Sequence, residues 1–514
     1  GTAANIGGGQ ADNIYFGTYQ QSNAGSTVPD GTEDVDWIKS DTATYKEQGP
    51  YYYIEPVKWR VLSNANGQLF LLSDQNLDVF QYHTDDESVT WEKSTMRFWL
   101  NGYGASENTG GDSGTDYTND NFINTAFSSG EQGAIAQTYV YNATQSDGSS
   151  NPNPSYGTSG GENTTDKIFL LSIEEANNSS YFPNGNDSRI STNTAYVAGG
   201  GKIGGNVYGV GEADYWWLRS PGTSDNFAAS VPNRGSVSSY GAYVDDARHA
   251  VRPAFHLDLK SVLFTSAAVG GKAASGMDSG LTKVSDYTGN EWKLTLLDNS
   301  RNFAVTETDI NGDPGDTITL HYSRATIGTN EYISVILADE NGAQYYGRVA
   351  QPTATDGTVE ITIPSGLADG TYTLNVFSEQ YNGDYKTDYA SAFAEITLTV
   401  EDTTAPTLTA GTATRDSETA ATVQFTSDEA GEYYCAVVES GAEEPAIDTT
   451  VAGTSCISGE NTIFLDNLSG KSAKELYIVA KDAMGNVSQP LKIEIPAIYT
   501  LTVNLNGGSG STTS

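Results

Sequence analysis

The chain reads WWLRSPGTSDNFAASVPNRGSVSSYGAYVDDARHAVRPAF at residues 216–255. Bulky, rigid residues close both ends of this stretch, whereas small, polar and aromatic residues alternate in its interior with a sparse frame of Gly, Ala and Val. Large aromatic residues dominate burial energy and fix the register of strands. The pattern therefore predicts core strands at the two ends that present a changeable surface between them.

The end segments are predicted to pair with each other as core strands, Trp216, Trp217 and Leu218 on one side and Val251, Pro253 and Phe255 on the other. We expect carboxylate or carbonyl partners beneath the surface to fix Arg219 and Arg252, in preference to ligand contact. Between the two ends, inward or turn positions are assigned to Ala228, Ala229, Val231, Gly235, Val237, Gly241 and Val244.

The residues between these frame positions are predicted to point outward and to bind a ligand. They are Asn226, Phe227, Ser230, Asn233, Arg234, Ser236, Ser238, Ser239, Tyr240, Tyr243, Asp245, Asp246, Arg248 and His249. Tyr gives large, stiff contact area while Ser and Asn adapt their hydrogen bonds, as in antibody paratopes. Phe227, Arg234, Tyr240 and Tyr243 are the predicted hot spots. The alternative is an idle polar loop with two exposed tyrosines.

Ordered motifs give residues 13–267 a resemblance to a known family. The motifs are IYFG at 14–17, PVKWRVL at 56–62, TWEKS at 90–94, DKIFLLS at 166–172, WWLRSPG at 216–222 and VRPAF at 251–255. In these motifs the segment resembles surface domains of gut Firmicutes, which are related in fold to C-type lectins and formylglycine-generating enzymes. The resemblance implies an α+β, C-type-lectin-like head.

Some members of that family resemble the variable proteins of diversity-generating retroelements, in which WWLRSPG and VRPAF bracket mutagenised codons. Residues 223–250 lack Lys, Glu, Gln, Met and Trp. Randomising the first two bases of an asparagine AAC codon yields none of these five residues, although a window this short can also lack them by chance. The resemblance thus implies a face that is open to diversification.

Length and turn composition predict several modules. A chain of 514 residues is expected to hold about three domains. The expected boundaries are a head at 1–266, a Gly-, Ala- and Ser-rich linker at 267–290, β-sandwiches at 291–402 and 403–497, and the truncated start of a surface repeat at 498–514. PGD at 314–316, GTY at 370–372 and AMGNVS at 483–488 resemble bacterial immunoglobulin-like modules.

Periodicity predicts individual elements within these modules. Head strands are expected at 57–62, 68–72 and 167–171, and sandwich strands at 292–297, 317–322, 332–337, 358–363, 371–377, 393–400 and 476–482. A helix is expected at 94–100, and capping boxes at 128–131 and 172–175 predict two more. The polar stretches 103–121 and 143–165 are interpreted as solvated loops, with a functional role as the alternative.

Charge and cysteine content restrict the partners. The formal charge of −39, from 65 acidic and 26 basic residues, argues against nucleic acid, because Lys and Arg must replace the counterions of a phosphate backbone. No apolar run is long enough to cross a bilayer, so membrane insertion of these residues is not expected. Cys435 and Cys456 could form one local disulfide or remain two thiols.

The sequence favours neither a metal site nor catalysis. Residues 309–313, DINGD, alternate oxygen ligands as a calcium loop does, but an ordinary acidic turn is preferred because no bidentate Glu follows. The four histidines lack partners at zinc-ligand spacing. The head contains no Cys for formylglycine chemistry, the calcium motifs of lectins are absent, and no GxSxG elbow occurs. No metal, cofactor or catalytic residue is expected.

These observations predict an extracellular adhesin or receptor-like binding protein of a Gram-positive bacterium. An α+β C-type-lectin-like head is expected to bind a host or microbial surface protein, an immunoglobulin or a glycan, and all-β immunoglobulin-like sandwiches to hold it away from the cell. Attachment to the wall is expected through regions beyond Ser514. The alternatives are a structural stalk or assembly protein of the surface and a carbohydrate-active enzyme.

Overall fold

The computed structural model describes residues 4–6, 12–25, 37–39, 50–107, 114–146, 151–272 and 280–499. These residues are mostly β-strand, in agreement with the β-rich composition. They form two compact units. The first comprises Gly1–Ile310, Gly315–Ser365 and Thr371–Thr399, and the second comprises Asn311–Pro314, Gly366–Gly370 and Val400–Ser514. The predicted repeat start falls mainly on residues 500–514, outside the described residues.

The predicted head contains fourteen strands within the described residues. They are β1 (Ala4–Ile6), β2 (Asn13–Gly25), β3 (Trp37–Lys39), β4 (Tyr51–Ala65), β5 (Gln68–Ser73), β6 (Asp78–Val79), β7 (Thr138–Val140), β8 (Thr164–Asp166), β9 (Trp216–Pro221), β10 (Phe227–Val231), β11 (Ser238–Tyr243), β12 (Ala250–Val251), β13 (Ala254–Asp258) and β14 (Val262–Ala267). The strands predicted at 57–62 and 68–72 are confirmed as parts of β4 and β5.

Short helices connect these strands, and side-chain caps start most of them. The helices are α1 (Thr95–Asn101), α2 (Phe122–Ala126), α3 (Ser129–Ala134), α4 (Ile173–Asn177), α5 (Asn186–Arg189) and α6 (Ala195–Ala198). Ser94 caps α1, while Ser128 with Glu131 and Ser172 with Glu175 form complete capping boxes on α3 and α4. Each box satisfies two of the backbone N–H groups that a helix start leaves free. The predicted helix starts are confirmed.

The strand predicted at 167–171 is wrong. Ile168 to Leu171 are fully buried, but only Phe169 makes an isolated bridge, to Ala254. Other backbone groups of the segment bond outside any ladder: the side chain of Asn101 bonds the N–H and carbonyl of Ile168, and the N–H of Arg219 bonds the carbonyl of Leu171. A continuous apolar run indicates a buried segment, but here the buried segment does not pair with a neighbouring strand as a β-strand would.

The residues after the head continue as strands. They are β15 (Thr282–Lys283), β16 (Glu291–Leu297), β17 (Ala304–Val305), β18 (Asp309–Gly312), β19 (Thr317–Ser323), β20 (Glu331–Asp339), β21 (Gly342–Ala350), β22 (Gly357–Thr362), β23 (Gly370–Gln380), β24 (Asp388–Ala390) and β25 (Ala394–Val400). Six of them, β16, β19, β20, β22, β23 and β25, confirm the sandwich strands predicted before residue 400. Asp309–Gly312 belongs to a strand, so the acidic turn predicted there is wrong.

One sheet joins the head strands to those of the region predicted as the first sandwich. Its main order is β13-β5-β4-β2-β16-β24-β23-β20-β21-β15. Strand β16 runs parallel to both β2 and β24, and successive side chains alternate between its faces. Trp292 and Leu294 therefore enter the hydrophobic core of the head, whereas Lys293 and Thr295 lie buried on the other face.

A second sheet of five strands, in the order β11-β10-β9-β12-β6, carries most of the segment 216–255, up to Val251 in β12. Trp216, Trp217 and Leu218 of β9 are fully buried, and Trp216 pairs with Ala250 in parallel. Phe255 is also buried, but its strand β13 pairs with β5 in the large sheet. The predicted pairing of Val251, Pro253 and Phe255 with the first end segment is therefore wrong: among the described residues, the register of β9 with β12 joins Trp216 to Ala250 alone, just before the second end segment.

The second unit is a smaller β-structure. Its strands are β26 (Leu408–Arg415), β27 (Ala421–Ser427), β28 (Gly431–Glu439), β29 (Thr454–Cys456), β30 (Gly459–Leu465), β31 (Lys474–Lys481) and β32 (Leu491–Ile495). They form a three-stranded and a four-stranded sheet around a core that includes Val423, Phe425 and Ile478. Cys435 and Cys456 are free thiols, the first exposed and the second buried.

Candidate functional site

The predicted binding residues lie on β10, β11 and the turns beside them. Strand β10 pairs antiparallel with β9 and with β11, and the register shifts between Ala228 and Ser230. The frame residues Ala228, Ala229, Val231 and Val244 are fully buried beneath this surface. The frame predicted from the sequence is confirmed at these positions.

Most of the predicted binding residues reach the surface. Those exposed are Arg234, Ser236, Tyr240, Tyr243 and Arg248, and those partly buried are Asn226, Phe227, Asn233, Ser238, Ser239, Asp245 and Asp246. We call these residues the display face. Ser230 and His249 are buried, at 3% and 5% exposure, so the expectation that both point outward is wrong.

Packing against Trp217 explains both corrections. Ser230 pairs with Trp217 on β9 and with Ser238 on β11, which places it in the middle of the sheet. The ring of His249 stacks on Trp217 with 4.2 Å between centroids and 21° between planes, and Tyr215 meets the same imidazole edge-on. Trp217, one of the bulky residues at the end of the segment, therefore also covers the side chains of Ser230 and His249.

Three aromatic side chains of the display face and Tyr156 from the loop at 143–165 form a connected group, which we call the aromatic patch: Tyr156, Phe227, Tyr240 and Tyr243. The centroid of Phe227 lies 4.2 Å from that of Tyr243 and 5.6 Å from that of Tyr240, and Tyr156 meets Tyr240 at 6.1 Å. The side chains of Tyr240 and Tyr243 remain 56% and 52% exposed. The patch thus offers large apolar area with free hydroxyl ends.

Buried polar and glycine residues hold the patch in place. The side-chain amide of Asn153, fully buried, donates to the carbonyls of Pro221 and Gly222 at 2.9 Å and of Ser239 at 2.8 Å. Gly241 has φ of +77°, and a Cβ there would lie 2.0 Å from the carbonyl oxygen of Ala228. Only glycine fits this close approach between β10 and β11.

A cavity of about 570 Å³ lies beside the patch, and we call it the face cavity. Five predicted binding residues line it, together with a segment that the sequence analysis did not single out. The lining includes Ser230, Ser238, Asp246, Arg248 and His249 from the predicted set and Asn206, Val207, Tyr208, Asp214 and Tyr215 from the other segment. The volume is in the range of small-ligand sites.

The charged and titratable side chains of the face cavity are grouped around Asp246. Burial opposes ionisation of this carboxyl, but His249 and the guanidinium of Arg248 outweigh that effect and lower the pKa of Asp246. Arg248 donates from Nε at 2.9 Å and from Nη2 at 2.7 Å, and His249 Nδ1 lies 3.9 Å away. That ring nitrogen is buried and has no hydrogen-bond partner among the described residues. The exposed charged group of the cavity is Arg248, whose guanidinium is paired with Asp246.

A second cavity, of about 490 Å³, opens elsewhere on the head between β7, α4 and β9. Tyr139 and Tyr141 form one wall, and their rings meet edge-on at 5.0 Å. Arg219 lies at 5% exposure and donates to both carboxylate oxygens of Glu175 and to the carbonyl of Leu170. Burial lowers the pKa of His256, which shares the cavity and bonds the hydroxyl of Thr138 at 3.1 Å.

The two framing arginines have the partners that the sequence predicted. Arg219 is paired with a carboxylate, as described above. Arg252 is fully buried and donates to the backbone carbonyls of Ser73, Asp74 and Arg189. Its guanidinium also lies 4.9 Å from the ring centroid of Trp216. Both guanidinium groups thus bond groups of the scaffold.

Among the described residues, one group of carboxylates could hold a metal ion. Asp402, Glu429 and Asp482 each offer an oxygen within 4.8 Å of the others. Burial and the charges of Asp402, Asp428 and Asp482 raise the pKa of Glu429. Oxygen donors suit a hard cation, but both oxygens of Asp482 already accept hydrogen bonds from residues 484–486. Asp313 instead accepts hydrogen bonds from the hydroxyls of Thr403 and Thr404.

Comparison with known families gives a match over the head. Residues 66–259 match the model of a family described as a domain of unknown function, DUF6273. The match covers less than half of the chain, and it includes the display face and both cavities. No curated protein matches the chain. In the part of the chain that the structure describes, no helix is long and apolar enough to span a membrane.

Solved structures resemble parts of the chain at low identity. One is described as the crystal structure of chicken CNTN1 FN1-FN3 domains, with 15% identity, a TM-score of 0.16, and coverage of 38% of this chain and 64% of that one. Another is described as a tetra-tandem repeat in the extending region of a large adhesion protein, with 16% identity, a TM-score of 0.19, and coverage of 52% and 62%. The chain spans less than two thirds of the length of each. TM-scores this low carry no argument about function.

Sequence reasoning missed two contributors to the site. The loop at 143–165 was interpreted as a solvated insertion, yet its described part supplies buried Asn153 and the patch residue Tyr156. The segment 206–215 supplies one side of the face cavity. For the loop at 143–165, the available signal was Tyr156, an isolated aromatic residue in a stretch rich in Gly, Asn and Ser. Loops of this kind often carry functional residues. No such signal in the sequence marked the segment 206–215.

Proposed function

We propose that this chain is an extracellular adhesin or receptor-like binding protein whose display face binds a ligand. The observation that carries the proposal is the aromatic patch, which combines exposed Tyr240 and Tyr243 with a backbone held from below. Contiguous exposed aromatic area marks interaction sites. The adjoining face cavity adds polar groups that can orient a ligand.

The support beneath the patch favours binding without large rearrangement. Tyr and Phe contribute contact area with few rotatable bonds, and a rigid frame limits the entropy lost on association. Asn153 and Gly241 fix the backbone of β11, so the side chains can differ while the frame stays the same. A surface protein, an immunoglobulin or a glycan would each fit a face of this chemistry.

The head is proposed to adopt a C-type-lectin-like fold, with a display face open to diversification by a retroelement. The separation between buried frame residues and exposed residues on β10 and β11 supports the second idea, because exchangeable positions must not disturb the core. A template repeat beside a reverse transcriptase gene, matching the codons of residues 223–250, tests it. A genome without such a repeat contradicts diversification and leaves ligand binding untouched.

The protein is proposed to turn over no substrate and to act outside the cell. The acidic residues of the chain, which give it a charge of −39, keep an exposed protein soluble and weaken adhesion to anionic surfaces. Incubation of the full chain with mucin and plant glycans tests the absence of turnover. Released sugars would contradict it.

Array binding with matched tyrosine variants tests the proposed site. The full chain is screened against host glycoproteins, immunoglobulins and glycans, and hits are remeasured with the double variant Tyr240→Ala/Tyr243→Ala. Hot-spot truncation costs about 2 kcal/mol or more, or roughly a 30-fold weaker Kd. The control is Tyr139→Ala/Tyr141→Ala, because these tyrosines are 56% and 51% exposed on the same head.

The two variants separate the possible outcomes. Weaker binding by the first variant with an unchanged control supports the display face. Weaker binding by the control alone moves the site to the second cavity. Unchanged binding by both variants places the ligand elsewhere on the chain and contradicts the proposal.

A further inference from the structure

Four charged side chains are buried together in the first unit, at the sheet that joins the head to the sandwich strands. Lys272 follows β14, Lys293 lies on β16, Glu379 on β23 and Asp388 on β24. None of the four is more than 2% exposed. Two amines and two carboxylates balance in charge, but removing charges from water is costly even when they are paired. We call this group the buried charge cluster.

Lys272 contacts both carboxylates of the cluster. Its Nζ lies 2.7 Å from Oδ2 of Asp388 and also donates to Oε1 of Glu379. A third bond goes to Oγ1 of Thr295 at 2.6 Å. Because Cγ of Asp388 is one covalent bond from Oδ2, the amine already lies close to a carbon that it could attack.

The surroundings hold the carboxylates in place and keep water out. Oε2 of Glu379 accepts hydrogen bonds from Ser334 Oγ at 2.7 Å and from the hydroxyl of Tyr346. Oδ1 of Asp388 accepts the backbone N–H of Asn382 at 2.8 Å. The ring of Phe264 lies 4.7 Å from Nζ of Lys272. A desolvated lysine between fixed groups is the arrangement that makes an amine nucleophilic in proteins.

We propose that Lys272 and Asp388 condense to an isopeptide bond, with Glu379 as the proton carrier. A proton first moves from the Lys272 ammonium to the Asp388 carboxylate, which leaves a neutral amine and a neutral acid. The amine nitrogen attacks Cγ of Asp388. Glu379 takes a proton from that nitrogen and returns it to the departing hydroxyl, so the C–O bond breaks and one water leaves.

The step balances without a further reactant. One ammonium and one carboxylate become one neutral amide and one water, and Glu379 ends as it began. The product also removes one buried cation and one buried anion from a site where water cannot solvate them. It links positions 116 residues apart and ties the segment after β14 to β24.

Lys293 is the competing amine, and its contacts assign it a different role. Its Nζ also lies 2.7 Å from Oδ2 of Asp388, but it donates to the carbonyl of Gly383 at 2.6 Å rather than to Glu379. A carbonyl cannot carry the proton that the condensation must move. Lys293 therefore balances the charge of the cluster, while Lys272 is the nucleophile.

Intact mass spectrometry of the purified full chain tests the proposal. The expected mass is lower than that of the unreacted sequence by one water. Digestion is expected to give a branched peptide that joins Lys272 to Asp388. The variants Lys272→Arg, Asp388→Ala and Glu379→Gln are each expected to show the unreacted mass, with circular dichroism used to check that the β-structure persists.

A surface pair of the same residue types supplies the control. Lys202 Nζ lies 2.6 Å from Asp120 Oδ2 in the same unit, but that aspartate is exposed and no second carboxylate bonds the amine among the described residues. Lys202→Arg is expected to keep the mass loss. An unreacted mass in the unaltered chain overturns the proposal, as does a branch at Lys293 or Lys202 instead of Lys272.

Discussion

Phe227 and Tyr243 face each other across the β10 and β11 pair, with ring centroids 4.2 Å apart. Directly opposed aromatic residues stabilise a strand pair beyond their buried area. One ring is partly buried and the other is half exposed. The contact therefore stabilises the pairing of β10 with β11. It also holds Tyr243, a proposed ligand-binding side chain, in position.

A double-mutant cycle on Phe227→Ala and Tyr243→Ala is expected to give a coupling energy of about 0.5–1.5 kcal/mol. Unfolding in urea, followed by tryptophan fluorescence, measures it for the first unit, because every Trp of the chain lies there. A coupling energy of zero would mean that the two rings do not stabilise each other in solution.

Substitution of Gly241 by Ala is expected to destabilise the first unit by about 3 kcal/mol or more, because a positive φ and a backbone clash act together. The matched control is Gly211→Ala. Gly211 has φ of +73°, yet no atom lies within 4 Å of its Cβ position. The control should lose only about 1–2 kcal/mol. Equal losses would show that the approach to Ala228 relaxes at little cost.

Substitution of Asn153 by Ala is expected to cost about 2 kcal/mol, because the buried amide no longer donates to the carbonyls of Pro221, Gly222 and Ser239. The loop at 151–160 should also become more sensitive to protease, since its anchor to β9 and β11 is gone. Asn302→Ala is the control, because that exposed amide bonds a single carbonyl in its own turn. Unchanged proteolysis after Asn153→Ala would contradict the role of Asn153 as an anchor.

Acidification is expected to weaken the first unit in part through Glu175. Burial opposes its ionisation, but the charge and hydrogen bonds of Arg219 and the Ser172 backbone lower the net pKa of Glu175. A carboxyl with a lowered folded pKa contributes stability above its unfolded pKa of about 4.3, and that stability is lost as pH falls through the folded value.

Thermal melts between neutral pH and pH 3 measure this contribution. Glu175→Gln is expected to lower the Tm at neutral pH and to flatten its further fall below about pH 4.3. An exposed carboxyl, Glu174→Gln, serves as the control, because it should leave the curve unchanged. Parallel curves for the unaltered chain and Glu175→Gln would contradict the role of the pair with Arg219.

Local sequence patterns predicted local structure well. The alternating strands from 292 onward and the capping boxes at Ser128 and Ser172 depend on neighbours in sequence, and they were found. The failures involve partners far along the chain. Residues 167–171 are buried but bond to Asn101, Ala254 and Arg219, and Phe255 pairs with Leu71 rather than with the segment containing Trp216.

The same distinction applies to the candidate site. Tyr240 and Tyr243 could be predicted as outward because they lie between the Gly and Val frame positions. Simple alternation would place these two residues on opposite faces, and their common exposure depends on the irregular pairing of β11 with β10 and on the positive φ of Gly241. The burial of His249 depends on stacking against Trp217, and the patch depends on Tyr156 from a distant loop. Neither contact leaves a local pattern in the sequence.

Strand β16 gives the head a mechanical property. One edge of β16 pairs antiparallel with β14. The other edge pairs with β2 at residues 291–293 and with β24 at residues 295–297, so no free hinge separates the head from the strands that follow it in the first unit. Tension applied through those strands would load a row of backbone hydrogen bonds in shear, where they must break together. The head is then expected to keep its orientation relative to those strands when they are pulled.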